Sequence, residues 1–83
     1  MSASAPNALD IRPLPPIRKR ATLIATFDRL SVGESFILVN DRDPTDLCTC
    51  LDAERPNQGE WTYLQDGPYT WHVRITRQSA TEG

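Results

Sequence analysis

Leu9-Asp10-Ile11-Arg12 alternates apolar and charged residues with a period of two, which predicts a short first strand. The strand stops where Pro13, Pro15 and Pro16 remove the backbone donors a ladder needs. From about Ile17 the period changes: Leu23, Ile24, Phe27 and Leu30 recur at helical spacing, with Arg20 and Asp28 on flanking faces. This predicts an amphipathic helix that closes near Ser31-Val32-Gly33, where glycine can take a left-handed conformation. Ser35-Phe36-Ile37-Leu38-Val39-Asn40 has no polar alternation and is rich in β-branched and aromatic residues, as expected of a central strand buried on most of both faces. Asp43-Pro44 supplies a capping carboxylate followed by proline at the first helical position, with Asp46 near the positive end of the dipole. A second helix is predicted there, its faces marked by Leu47, Cys50, Leu51 and Glu54, and Pro56-Asn57-Gln58-Gly59 ends it. Two further strands, Glu60 to Gln65 and Tyr69 to Arg77, flank the turn Asp66-Gly67-Pro68 and form a hairpin.

The order β-α-β-α-β-β predicts an α/β (α+β) fold: a two-layer sandwich with a four-stranded mixed sheet and both helices on one face. Residues 1–7 and 78–83 are small and polar and are expected to be disordered tails around one folded unit, 8–77. The length of 83 residues agrees with a single core, since a chain this size buries only about 60–65% of its unfolded surface.

Charge changes the picture in one respect. The chain carries a net −2, which argues against affinity built on phosphate neutralisation, so a dedicated nucleic-acid binder is not expected. Residues 1–20 are nevertheless net +3, while residues 21–83 are net −5. No apolar run approaches the ~18–20 residues of a membrane span, and the first residues have neither the charged start nor the apolar centre of a signal peptide. Two cysteines close in sequence do not make a disulfide framework, so a reducing, cytoplasmic setting is predicted, without membrane attachment.

Candidate chemistry falls in three places. Arg12, Arg18, Lys19 and Arg20 form a positive patch at the start of the first helix, where cations oppose the dipole; an acidic protein surface or a small anion could use it. Asn40, Asp41, Arg42 and Asp43 lie at the C-terminal end of the central strand, the kind of edge where open α/β sheets bind ligands, although capping and turn formation also account for them. On a helix Cys48 and Cys50 diverge by about 200° and cannot readily share a metal or a disulfide. Cys50 is expected in the core and Cys48 partly buried, which leaves Cys48 as the candidate reactive thiol. His72 is the lone histidine and has no sequence partner for general-base work. Trp61, Tyr63 and Trp71 read as core or cross-strand partners rather than a base-stacking platform. No metal, cofactor or catalytic residue is predicted.

Residues spread over 9–77 carry a resemblance: Leu9-Asp10-Ile11-Arg12, Leu14-Pro15-Pro16, Phe27-Asp28-Arg29-Leu30, Gly33-Glu34, Leu38-Val39-Asn40-Asp41, Asp43-Pro44, Glu54-Arg55-Pro56, Trp61, Tyr63, Gly67-Pro68, Trp71 and Val73-Arg74-Ile75. In these the chain resembles the bacterial family of domain of unknown function 2249, grouped with the TusA/SirA-like sulfur-carrier fold. The resemblance implies the same β-α-β-α-β-β sandwich. It does not imply the carriers' chemistry, because a gapless alignment on Leu9-Asp10 and Gly33 puts Pro16 where those carriers keep the persulfide cysteine of a Cys-Pro-x-Pro motif. The family also commonly reads Asn-Asp-His-Asp-Pro after the central strand, where this chain has Arg42. Members that occur joined to hemerythrin-like domains imply a link to redox, nitrogen-oxide or sulfur metabolism. The expectation is a small non-enzymatic interaction or ligand-binding module, its partner a protein or a small anionic ligand. A sulfur relay through Cys48 or Cys50 and weak nucleic-acid binding through the basic patch are the alternatives.

Overall fold

The computed structural model describes residues 8–79. The elements run β1 (Ala8–Asp10), α1 (Pro16–Asp28), β2 (Ser35–Asn40), α2 (Thr45–Glu54), β3 (Gly59–Asp66) and β4 (Trp71–Arg77). They build the α+β sandwich that the periodicity predicts, with sheet order β1-β2-β4-β3. β1 pairs with β2 in parallel; β2 with β4 and β4 with β3 are antiparallel.

Strand register decides which side chains share a face. Leu9 pairs with Leu38, Phe36 with Ile75, Leu38 with Val73, and Trp61 and Tyr63 with Ile75 and Val73, so these residues line one side of the sheet. The helices add Leu23, Phe27, Cys48 and Leu51 to that side, and Ile11 and Leu30 complete the core. Burying each large apolar side chain contributes roughly 1.5–3 kcal/mol. The other face has no helix over it, so Ile37 and Val39 are only half-buried and β2 is not enclosed on both faces as its composition suggested. An unbroken apolar run cannot by itself tell one covered face from two.

Three local expectations are corrected. The first helix was expected to extend to about Ser31, but α1 ends at Asp28 with Arg29 as its cap; Gly33, at φ +93°, turns the chain into β2 instead. Ile17 is 78% exposed and stands off the apolar stripe, which is occupied at four-residue spacing by Lys19, Leu23 and Phe27. The two cysteines exchange roles: Cys48 is fully buried with Leu51, three positions on, and Cys50 is half-buried. The buried face of α2 runs through Pro44, Cys48 and Leu51, and Cys50 lies about 200° around the helix from Cys48. Within the expected second tail, the Gln78 N–H donates to the Gln58 carbonyl at 2.8 Å; residues 1–7 and 80–83 of the two expected tails lie outside the described residues.

The end of the molecule away from the β1 and β2 C-termini is closed by cations. Arg55 donates twice to the Asp28 carboxylate, at 2.8 and 2.7 Å. Arg77 donates to the Asp28 and Leu30 carbonyls at 3.2 and 3.0 Å, with its guanidinium 5.4 Å from the Phe27 ring centre. Positive charge at a helix C-terminus is where the dipole favours it. In the hairpin, Gly67 sits at φ +76° and the Trp71 indole packs so closely that a Cβ would lie 2.8 Å from a ring carbon. Trp71 Nε1 donates to Asp66 at 2.8 Å across the same turn.

Candidate functional site

The parallel pair β1 and β2 ends where both helices begin, and a cleft of about 340 Å³ opens at that edge. Open α/β sheets place ligands outside the carboxyl ends of parallel strands for this reason: the loops diverge and helix N-termini point in. Arg12, Lys19, Asn40, Asp41, Arg42 and Asp43 all line the cleft, joined by Leu14, Pro16, Asp46 and Leu47. Two stretches that the sequence offered as separate candidates, the start of the first helix and the loop after the central strand, are therefore opposite walls of one site.

The floor is a buried polar pair. Asn40 closes β2 on the helix side and is 1% exposed; Lys19 is 8% exposed. Lys19 Nζ donates to Asn40 Oδ1 at 2.8 Å and to Asp41 Oδ1 at 3.2 Å, while Asn40 Nδ2 donates to the Arg42 carbonyl at 3.0 Å. The lysine stem fills the first slot of the apolar stripe on α1 and carries its ammonium to the end of β2. The ammonium beside Asp41 holds that carboxyl below the usual carboxylate range. An ammonium has three N–H donors, and two are used by these acceptors.

The expected basic patch is thus divided. Lys19 turns inward. Arg12 is committed to Asp10, donating from Nε at 2.9 Å and from Nη2 at 2.6 Å, and the pair holds the Asp10 carboxyl down at about 2. Arg18 and Arg20 are exposed and do not line the cleft. The correction follows from helix geometry: consecutive residues on a helix face different directions, so a run of three cations cannot form one surface. The spacing Lys19, Leu23, Phe27 was the signal that could have shown this.

On the opposite wall, the cap of α2 is Pro44 and the helix begins at Thr45, one residue later than the predicted start; Asp43 stands just before that cap and still serves the first-turn amide. Its Oδ1 accepts from the Thr45 N–H at 3.0 Å, from Thr45 Oγ1 at 2.6 Å and from the Tyr63 hydroxyl at 2.7 Å. The Thr45 and Tyr63 bonds lower the Asp43 pKa, and burial chiefly raises that of Tyr63, to about 12. Tyr63 reaches across from β3, a partner that no local sequence signal could disclose. Asp46 follows in the first turn and accepts no hydrogen bond among the described residues. Leu14, Pro16 and Leu47 supply the apolar lining.

The thiols stand apart from this site. Burial, and next the charge of Asp43, push the Cys48 thiol up to about 12, so the candidate reactive thiol is fully buried and held protonated. This corrects its expected partial exposure. Pro16 opens α1, as the alignment placed it, and neither cysteine lines the cleft there. His72 pairs with Val39 on the uncovered face of the sheet, away from the site. Among the described residues no group of three His, Cys, Asp or Glu side chains could hold a metal ion, and no helix is long and apolar enough to cross a membrane.

No curated protein and no solved structure matches the chain. One family model does, that of the uncharacterized conserved protein DUF2249, over residues 8–77, which takes in every element of the sandwich and every residue of the cleft. On that match, the chain belongs to the DUF2249 family.

Proposed function

We propose that the protein is a small non-enzymatic binding module of the cytoplasm, whose site is the cleft at the ends of β1 and β2 and whose ligand presents an anionic group to Lys19 and Arg42. The observation that carries this reading is Lys19. A stripe position that could hold leucine holds a lysine instead, and its ammonium is fixed at the floor of a cleft by a fully buried asparagine, with one donor free among the described residues. Arg42 lines the same cleft and forms no ion pair among the described residues. The N-terminus of α1 adds positive potential, since no side chain caps it and its first turn has no acidic residue. The buried, protonated Cys48 weighs against a sulfur relay, and the division of the basic patch weighs against a nucleic-acid surface. A link to hemerythrin-like or sulfur-metabolism proteins rests on the family resemblance alone.

The test is an amide NMR titration with 4-methylpentanoate, a carboxylate on an apolar body of a size the cleft admits. Saturable shifts confined to Lys19, Asn40 to Asp43 and Leu47, and lost in Lys19→Met, are expected. Shifts that are absent or spread over the surface would overturn the reading. A second reading has one observation in its favour: exposed Ile17 stands between Pro16 and Arg18 with Arg20 one turn on, a surface suited to an acidic protein partner.

A further inference from the structure

The charges that line the cleft are balanced and sorted by wall. Arg12 and Lys19 lie on the β1 and α1 side, Asp43 and Asp46 on the α2 side, with Asp41 and Arg42 on the loop between. Three cations and three carboxylates line the cleft, so its side-chain charge is balanced. The internal pairs remove some of these charges from play. Arg12 is held by Asp10, and Asp41 by Lys19. What remains free to a ligand is the third N–H of Lys19 and the Arg42 guanidinium on one side. On the other are the Asp46 carboxylate and the second oxygen of Asp43, whose first oxygen takes all three of its hydrogen bonds. Between them Leu14, Pro16 and Leu47 give an apolar lining.

We propose that the cleft binds a free α-amino acid with an apolar side chain, its carboxylate on Lys19 and Arg42, its ammonium on Asp43 and Asp46, and its side chain against Leu14, Pro16 and Leu47. This rests on the binding reading above and adds to it the ligand's second charge. The volume, about 340 Å³, lies at the lower end of the range for ligand pockets, which suits a molecule of amino-acid size. Asp46 has a simpler explanation as a first-turn acid that complements the dipole of α2. That explanation does not require the carboxylate to border a cleft opposite a buried ammonium, and the two roles are compatible.

The experiment compares three probes on the full chain by the same amide titration: L-leucine, 4-methylpentanoate, which lacks the ammonium, and 3-methylbutylamine, which lacks the carboxylate. Leucine is expected to bind about tenfold more tightly than either, a difference of about 1.4 kcal/mol. Asp46→Asn, at an exposed position, is expected to narrow the leucine to 4-methylpentanoate ratio to below about threefold, or 0.65 kcal/mol. If 4-methylpentanoate matches leucine, or Asp46→Asn leaves the ratio unchanged, the zwitterion proposal falls and the anion site stands. If the amine matches leucine, or none of the three moves the Lys19 and Asn40 signals, both readings fall.

Discussion

Two helices start at the same cleft and start differently. α2 begins with acids placed as stability alone would place them: the Asp43 carboxylate, one residue before the Pro44 cap, bonds to the Thr45 amide, and Asp46 stands in the first turn. α1 also opens on a proline, Pro16, but lacks the acids: Pro15 precedes it with no side chain to offer the Ile17 N–H, no acid stands in its first turn, and Arg18, Lys19 and Arg20 place three cations at the positive end of the dipole. The cost is offset in part by Lys19, which reaches Asn40 and Asp41 rather than solvent. A helix start that forgoes its own stabilisation while facing a cleft is the pattern expected where local structure is given over to a ligand.

The largest effect should come from breaking the floor beneath α1. Asn40→Leu removes the buried acceptor of Lys19 and leaves the ammonium with Asp41 alone, and a loss of about 2–3 kcal/mol is expected in chemical denaturation. Lys19→Met, which keeps the stem and drops the charge, is expected to cost about 1 kcal/mol, because the Asn40 carbonyl can turn to water in the cleft. The double variant should recover much of the Asn40→Leu loss. If Asn40→Leu alone costs under about 0.5 kcal/mol, the ammonium reaches solvent and α1 is no less ordinary than α2.

The second contrast is with acid, and it concerns α2. The Thr45 and Tyr63 hydrogen bonds lower the Asp43 pKa, and Arg12 lowers that of Asp10 to about 2. A carboxyl whose folded pKa lies below its unfolded value contributes stability that is present above the unfolded value, about 3.9, and lost as the pH falls through the folded one. Stability should therefore fall between about pH 4 and pH 2. Asp43→Asn keeps an acceptor for Thr45 and cannot titrate, so its stability should fall less steeply over that window. Identical slopes for the two proteins would mean that Asp43 is not held as the geometry indicates.

How much of this could be read in the sequence depends on where the information lay. Period-two and helical spacing placed all six elements, and β2 was bounded to the residue, because burial of one face is written locally. The start of α2 is legible only to within one residue, since Pro44 rather than Asp43 is its cap. The inward turn of Lys19 is not legible from a run of three charges, because its direction is set by the four-residue spacing to Leu23 and Phe27. Cys48 and Cys50 are hard to tell apart for a similar reason: both adjoin apolar neighbours, and only the line through Pro44 and Leu51 separates them. The meeting of Asn40 with Lys19, and of Asp43 with Tyr63, joins residues about twenty positions apart through the order of the strands.

The smallest expected change sharpens the comparison by giving α1 what α2 already has. Pro15 lies at φ −69° and ψ 158°, an extended conformation that aspartate adopts without strain at a helix cap. In Pro15→Asp the new carboxylate can accept from the Ile17 amide and complements both the dipole and the nearby cations. Against that stands the added freedom of the unfolded chain once proline is removed, so a net gain of only about 0.5 kcal/mol is expected. The same carboxylate competes for the positive potential that the proposed site offers a ligand, so binding of 4-methylpentanoate should weaken even as the protein becomes more stable. A variant that gained stability and kept its affinity would show that the bare start of α1 has no part in the site, and would leave Lys19 and Arg42 to carry it alone.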